Sequence, residues 1–549
     1  MKQRTGVFTV LLSVALGASV GLTGCSKDNG SENTPAPAEN TPVATQKRNV
    51  GGLELPISDK GLELSLWIPA DGNFRGKNYN EKHSFQQMEK NTGIKINFLM
   101  ANSTGWTDQF NLLMSSGKLP DMIFNYEWDK HVVKYGSNGA LLPLEQLIDK
   151  HAPNIKRLLQ EKPDVRGQIT SPDGHIYYLP NVALENIQLI QLFPQIREDW
   201  LTKLNLKSPE TTDDWYSVLK AFREKDPNGN GQKDEIPLTS VNLENIMRLF
   251  APAFGVEYDF FVENGQVKYG PYDSRFLDVV TYLNKLYSEQ LLDPNYLVDA
   301  DFKLLTEKVT TDRAGSWFGW AGSYMGTFTN LMKEKKHPTF KIAPVVPPKG
   351  PRGDQRHVSI RWPATGIGLA VSSQTKYPEE VIKWLDYQYS EEGIILNNYG
   401  AEGISYDLVD GKPKYRKEVT NPEGGLTSTQ ALLLHTIGGG SWATISLPDA
   451  GQQMAAASGQ TENPLKLFEK YVDFSKKIPP LQFLPEESNV IVPIMADVDT
   501  YVKEMVNGFI MGKKPLSEFA QFQSTLKKMN MDKVLEIYQK SYNRFKGKS

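Results

Sequence analysis

Cysteine is almost missing from this sequence, because Cys25 is the only one among 549 residues. No second thiol exists with which it could form an intramolecular disulfide. A surplus of basic charge is missing as well, since the chain has 61 Lys and Arg against 64 Asp and Glu, and this balance gives no indication of a nucleic-acid-binding protein. The seven His are scattered without i, i+4 pairing, which argues against a catalytic zinc site.

The chain does contain an apolar N-terminal segment, residues 7–22, which follows the cations Lys2 and Arg4. Ser and Gly residues interrupt this run, so it falls short of the roughly 20 apolar residues of a membrane span. It ends in Leu-Thr-Gly before Cys25 and resembles the signal peptide of a bacterial lipoprotein. The resemblance implies that residues 1–24 are removed and that a lipidated Cys25 anchors the protein on the extracytoplasmic face of the bacterial cell membrane.

The stretch behind Cys25 is rich in Ser, Thr, Pro, Asn and Ala and has few large apolar side chains. Such a composition buries too little surface to fold, so residues 25–55 are predicted to form a disordered tether. About 500 residues follow, which is more than one hydrophobic core normally serves. We therefore expect two large lobes.

Strand and helix patterns alternate after the tether. Residues 62–68, 94–99 and 120–124 have the composition or alternation of strands, whereas residues 77–93 and 106–116 carry apolar side chains at helical spacing. The order strand, helix, strand, helix, strand predicts parallel pairing with right-handed crossovers. The N-terminal part is therefore predicted to be an α/β unit.

Three residues lie where these predicted strands end. Trp67 is near the end of the first strand, and Asn125 and Trp128 follow the third. Ligands of open α/β sheets bind outside the carboxyl ends of the strands. We therefore expect Trp67, Asn125 and Trp128 at the mouth of a ligand-binding cleft.

Several motifs along the chain carry a family resemblance. They are Gly-Lys-Leu-Pro-Asp-Met-Ile at residues 117–123, Asp-Gly-His-Ile-Tyr-Tyr-Leu-Pro at 173–180, Tyr-Gln-Tyr-Ser-Glu-Glu-Gly at 387–393 and Tyr-Gln-Lys-Ser-Tyr-Asn-Arg at 538–544. In this order they resemble family 1 extracellular solute-binding proteins. The resemblance implies an α/β, two-lobed, periplasmic-binding-protein-like fold with an inter-lobe cleft and crossing hinge segments.

The same resemblance suggests a division of the chain and a role. It implies a first α/β lobe at residues 56–185 and about 340–410, and a second, helix-rich lobe at about 186–339 and 411–549. It also implies a monomer that binds an oligosaccharide and delivers it to the permease subunits of an ABC importer.

The sharpest local signal is Asp-Pro-Asn-Gly-Asn-Gly-Gln-Lys-Asp-Glu at residues 226–235. Oxygen-bearing side chains at positions 1, 3 and 5, with Gly at position 6, match the first half of an EF-hand calcium loop. Pro237 occupies position 12, where an EF-hand has a bidentate Glu, so Glu235 is predicted to substitute for it. The candidate ligands are Asp226, Asn228, Asn230, Gln232 through its carbonyl, Asp234 and Glu235.

Similar shortened loops occur in alginate-binding members of the resembled family, which supports a structural calcium ion here. An Asn-Gly-rich turn without metal is the alternative interpretation. No nearby histidine or paired acid indicates that such an ion activates water.

Tryptophan is the second group of candidate binding residues, because sugar C–H faces pack on indole rings. Six Trp lie at predicted strand ends or in loops that contain Gly or Pro, and packing under a loop is the alternative for each: Trp67, Trp128, Trp317, Trp320, Trp362 and Trp442. Asn181 and Arg197 are further candidates, since the chain is expected to cross between lobes near them. Arg197 has an alternative as well, because it can pair with Glu198 or Asp199.

These features predict a lipid-anchored solute-binding protein and not an enzyme. A surface-anchored glycoside hydrolase or polysaccharide lyase, working with two acids in a Trp-lined cleft, is the alternative. A receptor that presents its ligand to a signalling partner is the third hypothesis. Turnover separates the first two, because a binding protein returns the saccharide unchanged.

Overall fold

The structure is a computed structural model that describes residues 47–296, 302–457 and 464–547. The predicted signal peptide, Cys25 and most of the predicted tether lie outside the described residues. The strands are β1 (Arg48–Val50), β2 (Leu53–Leu55), β3 (Leu62–Pro69), β4 (Ile94–Ala101), β5 (Met122–Asn125), β6 (Tyr178–Ala183), β7 (Phe193–Arg197), β8 (Phe260–Glu263), β9 (Gln266–Tyr269), β10 (Ser316–Gly319), β11 (Ile342–Pro344), β12 (Ala364–Val371), β13 (Tyr406–Val409), β14 (Lys412–Tyr415) and β15 (Ile445–Ser446).

The described residues also form helices. They are α1 (His83–Thr92), α2 (Trp106–Ser116), α3 (Trp128–Ser137), α4 (Glu145–His151), α5 (Pro153–Glu161), α6 (Pro163–Ile169), α7 (Asn186–Leu189), α8 (Glu198–Lys203), α9 (Thr212–Glu224), α10 (Leu243–Phe250), α11 (Phe276–Ser288), α12 (Phe302–Thr310), α13 (Thr327–Glu334), α14 (Pro378–Gln388), α15 (Glu391–Tyr399), α16 (Lys417–Thr420), α17 (Ser428–His435), α18 (Pro448–Ala457), α19 (Pro485–Ile510), α20 (Phe519–Lys528) and α21 (Met531–Lys546). Among the described residues, none of the helices combines the length and apolar composition that crossing a membrane requires.

The first sheet has six strands in the order β15-β6-β12-β5-β3-β4. β3 pairs in parallel with both β4 and β5, and α1 and α2 connect these strands. The predicted parallel unit is therefore confirmed. β12 inserts between β5 and β6 and is antiparallel to both, which no short-range pattern indicated.

Local sequence explains where the helices begin and end. α2 begins after Gly105 and ends at Gly117, whose φ of 66° lies in the left-handed region that glycine adopts without strain. α9 begins at a capping box: Thr211 Oγ1 accepts a hydrogen bond from the N–H of Asp214, and the Asp214 carboxylate accepts one from the N–H of Thr211. The buried face of α9 includes Trp215.

The first hydrophobic core packs on the six-stranded sheet and extends further along the chain than expected. Leu433, Ile437 and Trp442 belong to it, although we expected residues after 410 in the second lobe. The physical reason is β15, which pairs with β6 and thereby holds this segment to the first sheet.

The second sheet is antiparallel, in the order β10-β7-β11, and is covered on both faces. Alternate residues of β10 face opposite sides, as strand geometry requires. Phe318 packs into a core built largely from helices, including α9, α11 and α19, whereas Trp317 packs on the other face with Phe193 and Phe328. This region is the helix-rich part of the protein.

Residues at the end of the predicted tether are folded instead. β1 and β2 form an antiparallel hairpin, and Leu53 and Leu55 are buried. Arg48 donates a hydrogen bond of 2.8 Å to Glu392. The boundary at residue 55 is therefore corrected: two apolar side chains at strand spacing, together with this hydrogen bond, attach residues 48–55 to the first core region.

Candidate functional site

Two segments that connect the sheets run side by side. One leads from β6 to β7 and the other from β11 to β12. They pair in antiparallel fashion: the N–H of Gln191 donates to the carbonyl of Ser359 at 2.9 Å, and the N–H of Arg361 donates to the carbonyl of Leu189 at 2.8 Å. These hydrogen bonds tie the two connections together between the sheets.

A third connection, from β15 to α19, joins this pair. The N–H of His357 donates to the carbonyl of Tyr471 at 2.8 Å, and the indole N–H of Trp362 donates to the carbonyl of Ile478 at 2.8 Å. We call the three connections, residues 184–192, 345–363 and 447–484, the crossing segments. Residues 458–463 of the third lie outside the described part of the chain.

A cavity of about 370 Å³ lies against the crossing segments. Gln188, Arg361 and Leu465 line it from these segments, and Ala321 lines it from the region of the second sheet. Ser446 of β15 lines it from the first sheet, and Leu432 and Tyr415 line it from a small separate hydrophobic cluster. Its volume falls in the range of small-molecule sites. This crossing cavity, shared by chain regions far apart in sequence, is the candidate ligand site.

Arg361 is the charged side chain at the crossing cavity. Its Nε donates to the carbonyl of Gln188 at 3.3 Å, and its Nη1 donates to Oδ1 of Asn181 at 3.1 Å. Burial lowers the pKa of Arg361 to about 10, which leaves the guanidinium charged at neutral pH. We did not predict Arg361 as a site residue; the signal available was its position directly before Trp362.

Asn181 supports this arrangement and is fully buried. Its Nδ2 donates to the carbonyl of Trp442 at 2.9 Å, while its Oδ1 accepts from Arg361 and from Ser446 Oγ. Its polar atoms are therefore engaged within the protein. The structure places Asn181 behind the cavity, where it positions Arg361, and not in it as predicted.

Four of the six predicted Trp residues are core residues. Trp67, Trp128, Trp317 and Trp442 are between 0 and 7% exposed. Trp128 donates to the carbonyl of Gly368, Trp317 donates to Oε1 of Gln195, and Trp442 stacks on Phe124. A ring without an exposed face cannot stack on a sugar, so the prediction is corrected for these four. Their side chains point into the hydrophobic cores, which sequence position alone does not reveal.

The other two predicted Trp residues differ from each other. Trp320 is 39% exposed and follows β10, directly before the cavity residue Ala321. Trp362 packs between Phe474 and Phe545, and its N–H is used within the crossing segments. Trp320 is therefore the predicted ring that remains available beside the cavity.

The side chains of Asn125 and Arg197 are also buried and bonded within the protein. Asn125 is fully buried at the end of β5, where its Oδ1 accepts from the N–H of Glu127 at 2.7 Å. Arg197 is fully buried and pairs with Asp199 at 2.7 Å and Asp312 at 2.5 Å. The alternative that we had stated for Arg197, pairing with a neighbouring acid, is the one the structure shows. Neither residue lines the crossing cavity.

The predicted calcium loop, residues 226–235, folds around the carboxylate of Asp226. Its Oδ1 accepts from the N–H groups of Gly229 and Asn230, and its Oδ2 accepts from the N–H of Gly231. Burial by itself would raise the pKa of Asp226, but these three donors outweigh it and lower the pKa. Gly231 has a φ of 77°, which explains why glycine occupies position 6.

Glu235 is the unusual member of this loop. It is 3% exposed, and neither carboxylate oxygen has a hydrogen-bond donor. Burial raises the pKa of Glu235, and the charges of Asp226 and Asp234 raise it further. A buried carboxylate without a partner is costly unless it binds a proton or a cation. The sequence placed Glu235 in the loop, but its burial is visible only in the structure.

The donor set of the loop fits a hard cation, although it is not arranged as a finished metal site. In the described part of the chain, no three His, Cys, Asp or Glu side chains are grouped so as to hold an ion. The amide nitrogens of Asn228 and Asn230 instead donate to Oδ1 of Asp234. Rotation of these amides would present oxygen atoms in their place. Oxygen ligands of this kind are those that Ca²⁺ prefers.

Comparison with known proteins identifies the family. Residues 77–395, more than half of the chain, match the bacterial extracellular solute-binding proteins. The protein belongs to this family. The resemblance inferred from the sequence motifs is therefore confirmed.

Relatives of this solute-binding protein cover most of its length. It is 28% identical over 90% of its chain to the fructooligosaccharide ABC transporter substrate-binding protein FusA of Streptococcus pneumoniae serotype 4 (strain ATCC BAA-334 / TIGR4), and this match spans 93% of FusA. It is 29% identical over 60% of its chain to lipoprotein LipO of Bacillus subtilis (strain 168), spanning 64% of LipO.

Solved structures share its fold. The alginate-binding protein AlgQ2, in a crystal structure without calcium ion, has a TM-score of 0.72 and 28% identity, with coverage of 89% of this chain and 99% of AlgQ2. An EF-hand mutant of FusA in complex with fructo-nystose has a TM-score of 0.72 and 25% identity, with coverage of 89% and 100%. The predicted periplasmic-binding-protein-like fold class is confirmed.

Proposed function

We propose that this solute-binding protein captures an oligosaccharide in the crossing cavity and delivers it to the permease subunits of an ABC importer. The observation that carries the proposal is the position of the cavity at three connections between two separately packed regions. Rotation about such connections opens and closes a site between them. The closed form is then the one that a permease recognises.

Saccharide as the ligand class is supported by the relatives and by Trp320. FusA is named for fructooligosaccharides and AlgQ2 for alginate, so proteins similar over nearly the whole chain bind carbohydrate polymers or their fragments. The exposed ring of Trp320 offers an apolar face for a sugar. The two relatives bind ligands of different charge, so they leave the charge of the ligand open.

Binding without turnover is favoured by the chemistry of the cavity. Glycoside hydrolases use a pair of carboxyl groups that flank the scissile bond. The described residues that line the crossing cavity include no Asp or Glu. This supports a binding protein over the alternative of a surface-anchored glycoside hydrolase or polysaccharide lyase.

Calcium is proposed as a structural ion in the loop at residues 226–235. Asp226, Asn228, Asn230, the Gln232 carbonyl, Asp234 and Glu235 would hold it, and its charge would compensate the buried carboxylate of Glu235. The names of AlgQ2 without calcium ion and of the FusA EF-hand mutant support the proposal. The segment after the loop lies beside the start of β10, since the N–H of Ile236 donates to the carbonyl of Arg313 at 2.8 Å. A bound ion would therefore stabilise the region that leads to Trp320.

Lipid anchoring through Cys25 is proposed from the N-terminal sequence, and the name of LipO agrees with it. The anchor would place the protein, which we propose to be a monomer, on the extracytoplasmic face of the bacterial cell membrane. Cys25→Ser should release it into the medium or leave an unprocessed precursor. Normal processing and retention in the membrane fraction would contradict the proposal.

A saccharide panel tests the binding function. The mature protein, with calcium present, is titrated with neutral and acidic oligosaccharides, and melting is followed by differential scanning fluorimetry. A true ligand at about 100 times its dissociation constant stabilises by roughly 2.7 kcal/mol. Chromatography of the recovered saccharide should show an unchanged chain length. New chain ends would favour the enzyme, and failure of every saccharide to bind would contradict the proposal.

A further inference from the structure

Arg361 has donors that the protein leaves unused. A guanidinium carries five N–H donors. Nε and Nη1 reach neutral acceptors, the carbonyl of Gln188 and the amide oxygen of Asn181, while Nη2 has no acceptor among the described residues. The side chain lines the crossing cavity. One edge of the guanidinium is therefore free to meet a ligand.

The charge of Arg361 is also uncompensated. No described Asp or Glu lies within ion-pair distance of it. Two arginines that are more deeply buried than Arg361 do have carboxylate partners: Arg197 pairs with two carboxylates, and Arg356 pairs with Glu257 at 2.9 Å. A desolvated cation without a counter-charge is unfavourable, so pairing is the rule for such groups. Arg361 is the exception, and it is the one that faces a cavity.

The rest of the cavity wall strengthens the electrostatic interaction of this cation with a ligand. Around Arg361 the described lining consists of apolar and neutral polar side chains, such as Leu432, Leu447 and Tyr415. In a largely apolar cavity, an interaction with a single charge is weakly screened. Planar carboxylates match the fork of a guanidinium and bind it with charge-assisted hydrogen bonds.

From these observations we propose that the crossing cavity selects acidic saccharides, and that Arg361 binds a sugar carboxylate through Nη2. The inference rests on the proposed saccharide-binding function and specifies its substrate class. A structural role for Arg361, in which it only links Gln188 to Asn181, is the competing explanation.

Pairs of ligands that differ mainly in their charge distinguish recognition of the carboxylate from recognition of the sugar. The probes are trigalacturonate, trimannuronate and aldotriouronic acid, each compared with its methyl ester, and neutral kestose and maltotriose serve as further probes. Isothermal titration of the mature, calcium-loaded protein should show binding of at least one acid, with its ester weaker by ~30-fold or more, the loss that follows when a buried charge loses its partner. Equal affinity for acid and ester, or binding of neutral saccharides alone, overturns the inference and leaves the proposed function intact. Binding of none of the probes counts against the proposed function as well.

Variants test the residue itself. Arg361→Gln should reduce the acid-to-ester preference to near unity, while Arg361→Lys should retain part of it because the charge remains. Arg352→Gln is the matched control, since Arg352 is half-exposed and pairs with Asp278 on the surface. Melting temperatures show whether each variant is folded. If Arg361→Gln does not fold, the ester comparison on the unmodified protein and Arg361→Lys decide the question. A preserved preference in folded Arg361→Gln refutes the assignment.

Discussion

The calcium loop and the crossing cavity each contain a charge that is at least partly buried and has no ion-pair partner among the described residues, but the charges have opposite signs. In the loop, Glu235 is buried beside Asp226 and Asp234, and none of the three forms an ion pair with another residue that the structure describes. In the cavity, the guanidinium of Arg361 has no carboxylate partner among the described residues, and its hydrogen bonds go to neutral acceptors. Burying such charges is unfavourable in an isolated protein. Both regions therefore have the electrostatics of ligand sites, one for a cation and one for an anion.

The two regions differ in how they are built. All proposed calcium ligands lie within ten consecutive residues, 226–235, so the loop assembles locally. The cavity is lined by residues 187–465, drawn from both sheet regions. A local loop keeps its geometry when large regions move, whereas a cavity at connecting segments changes with them. We infer that calcium serves stability and that the cavity serves transport.

Removing calcium should have the largest effect on stability. At about 1,000 times its dissociation constant, an ion that binds only the folded state adds roughly 4 kcal/mol. Chelation should therefore lower the melting temperature clearly. Glu235→Gln should lower it in calcium but not in chelator, because the uncharged amide removes the buried carboxylate. Glu224→Gln, an exposed change on α9, is the control, and an unchanged melting curve on chelation would contradict the calcium proposal.

Removing an arginine that the protein pairs with its own carboxylates should have the second largest effect on stability. Arg197→Leu leaves Asp199 and Asp312 without their shared cation, and loss of one partner of a buried pair costs about 3 kcal/mol. Urea unfolding measures this loss. Arg361→Gln should cost much less, because it removes a charge that has no protein partner. Equal losses of unfolding free energy in the two variants would contradict the distinction between an arginine paired with carboxylates and one without such a partner.

Truncation of an exposed aromatic ring should affect ligand binding more than stability. Trp320→Ala removes apolar contact worth roughly 1.5 to 3 kcal/mol if the ring packs on the sugar, hence about tenfold or more in affinity. Its melting temperature should stay close to that of the unmodified protein. Trp317→Ala is the contrasting variant, because that ring is fully buried and its loss should lower the melting temperature. Unchanged affinity in folded Trp320→Ala would place the sugar elsewhere.

The smallest expected effect is a pH dependence of the loop. The pKa of Glu235 is raised above its ordinary value of 4.5, so a proton competes with calcium. In chelator, this group contributes stability below its ordinary pKa, and the contribution is lost as the pH rises through the raised value. In calcium, the stability contribution of Glu235 increases with pH instead, because the deprotonated carboxylate is the form that binds the ion. Titrations at several pH values should show a few-fold weaker calcium binding in acid, and this trend should disappear in Glu235→Gln.

Short-range patterns predicted the local elements well. The strand at Leu62–Pro69 and the helix at Trp106–Ser116 follow from alternation and helical spacing. The glycine at position 6 of the calcium loop belongs to the same class of signal. These features depend on contacts between residues close in sequence, so a single sequence contains the information.

The cleft residues were predicted poorly, for a physical reason. A Trp at a strand end can turn into the core or out of it, and Trp128 and Trp320 have opposite outcomes, with 0% and 39% exposure. Arg197 and Arg361 are both arginines near crossing segments, yet only the first has carboxylates within reach. Which side chain faces a cavity depends on neighbours that arrive from distant parts of the chain.

The sequence by itself determined the α/β character, the family and the composition of the calcium loop, because each rests on local pattern or on ordered motifs. Only the tertiary structure decided that β12 lies antiparallel between β5 and β6, that residues 433–446 join the first sheet region, and that Arg361 lines a cavity without a counter-charge. These outcomes depend on long-range pairing and burial, in which the free energy of one residue is set by others that lie hundreds of positions away in the sequence.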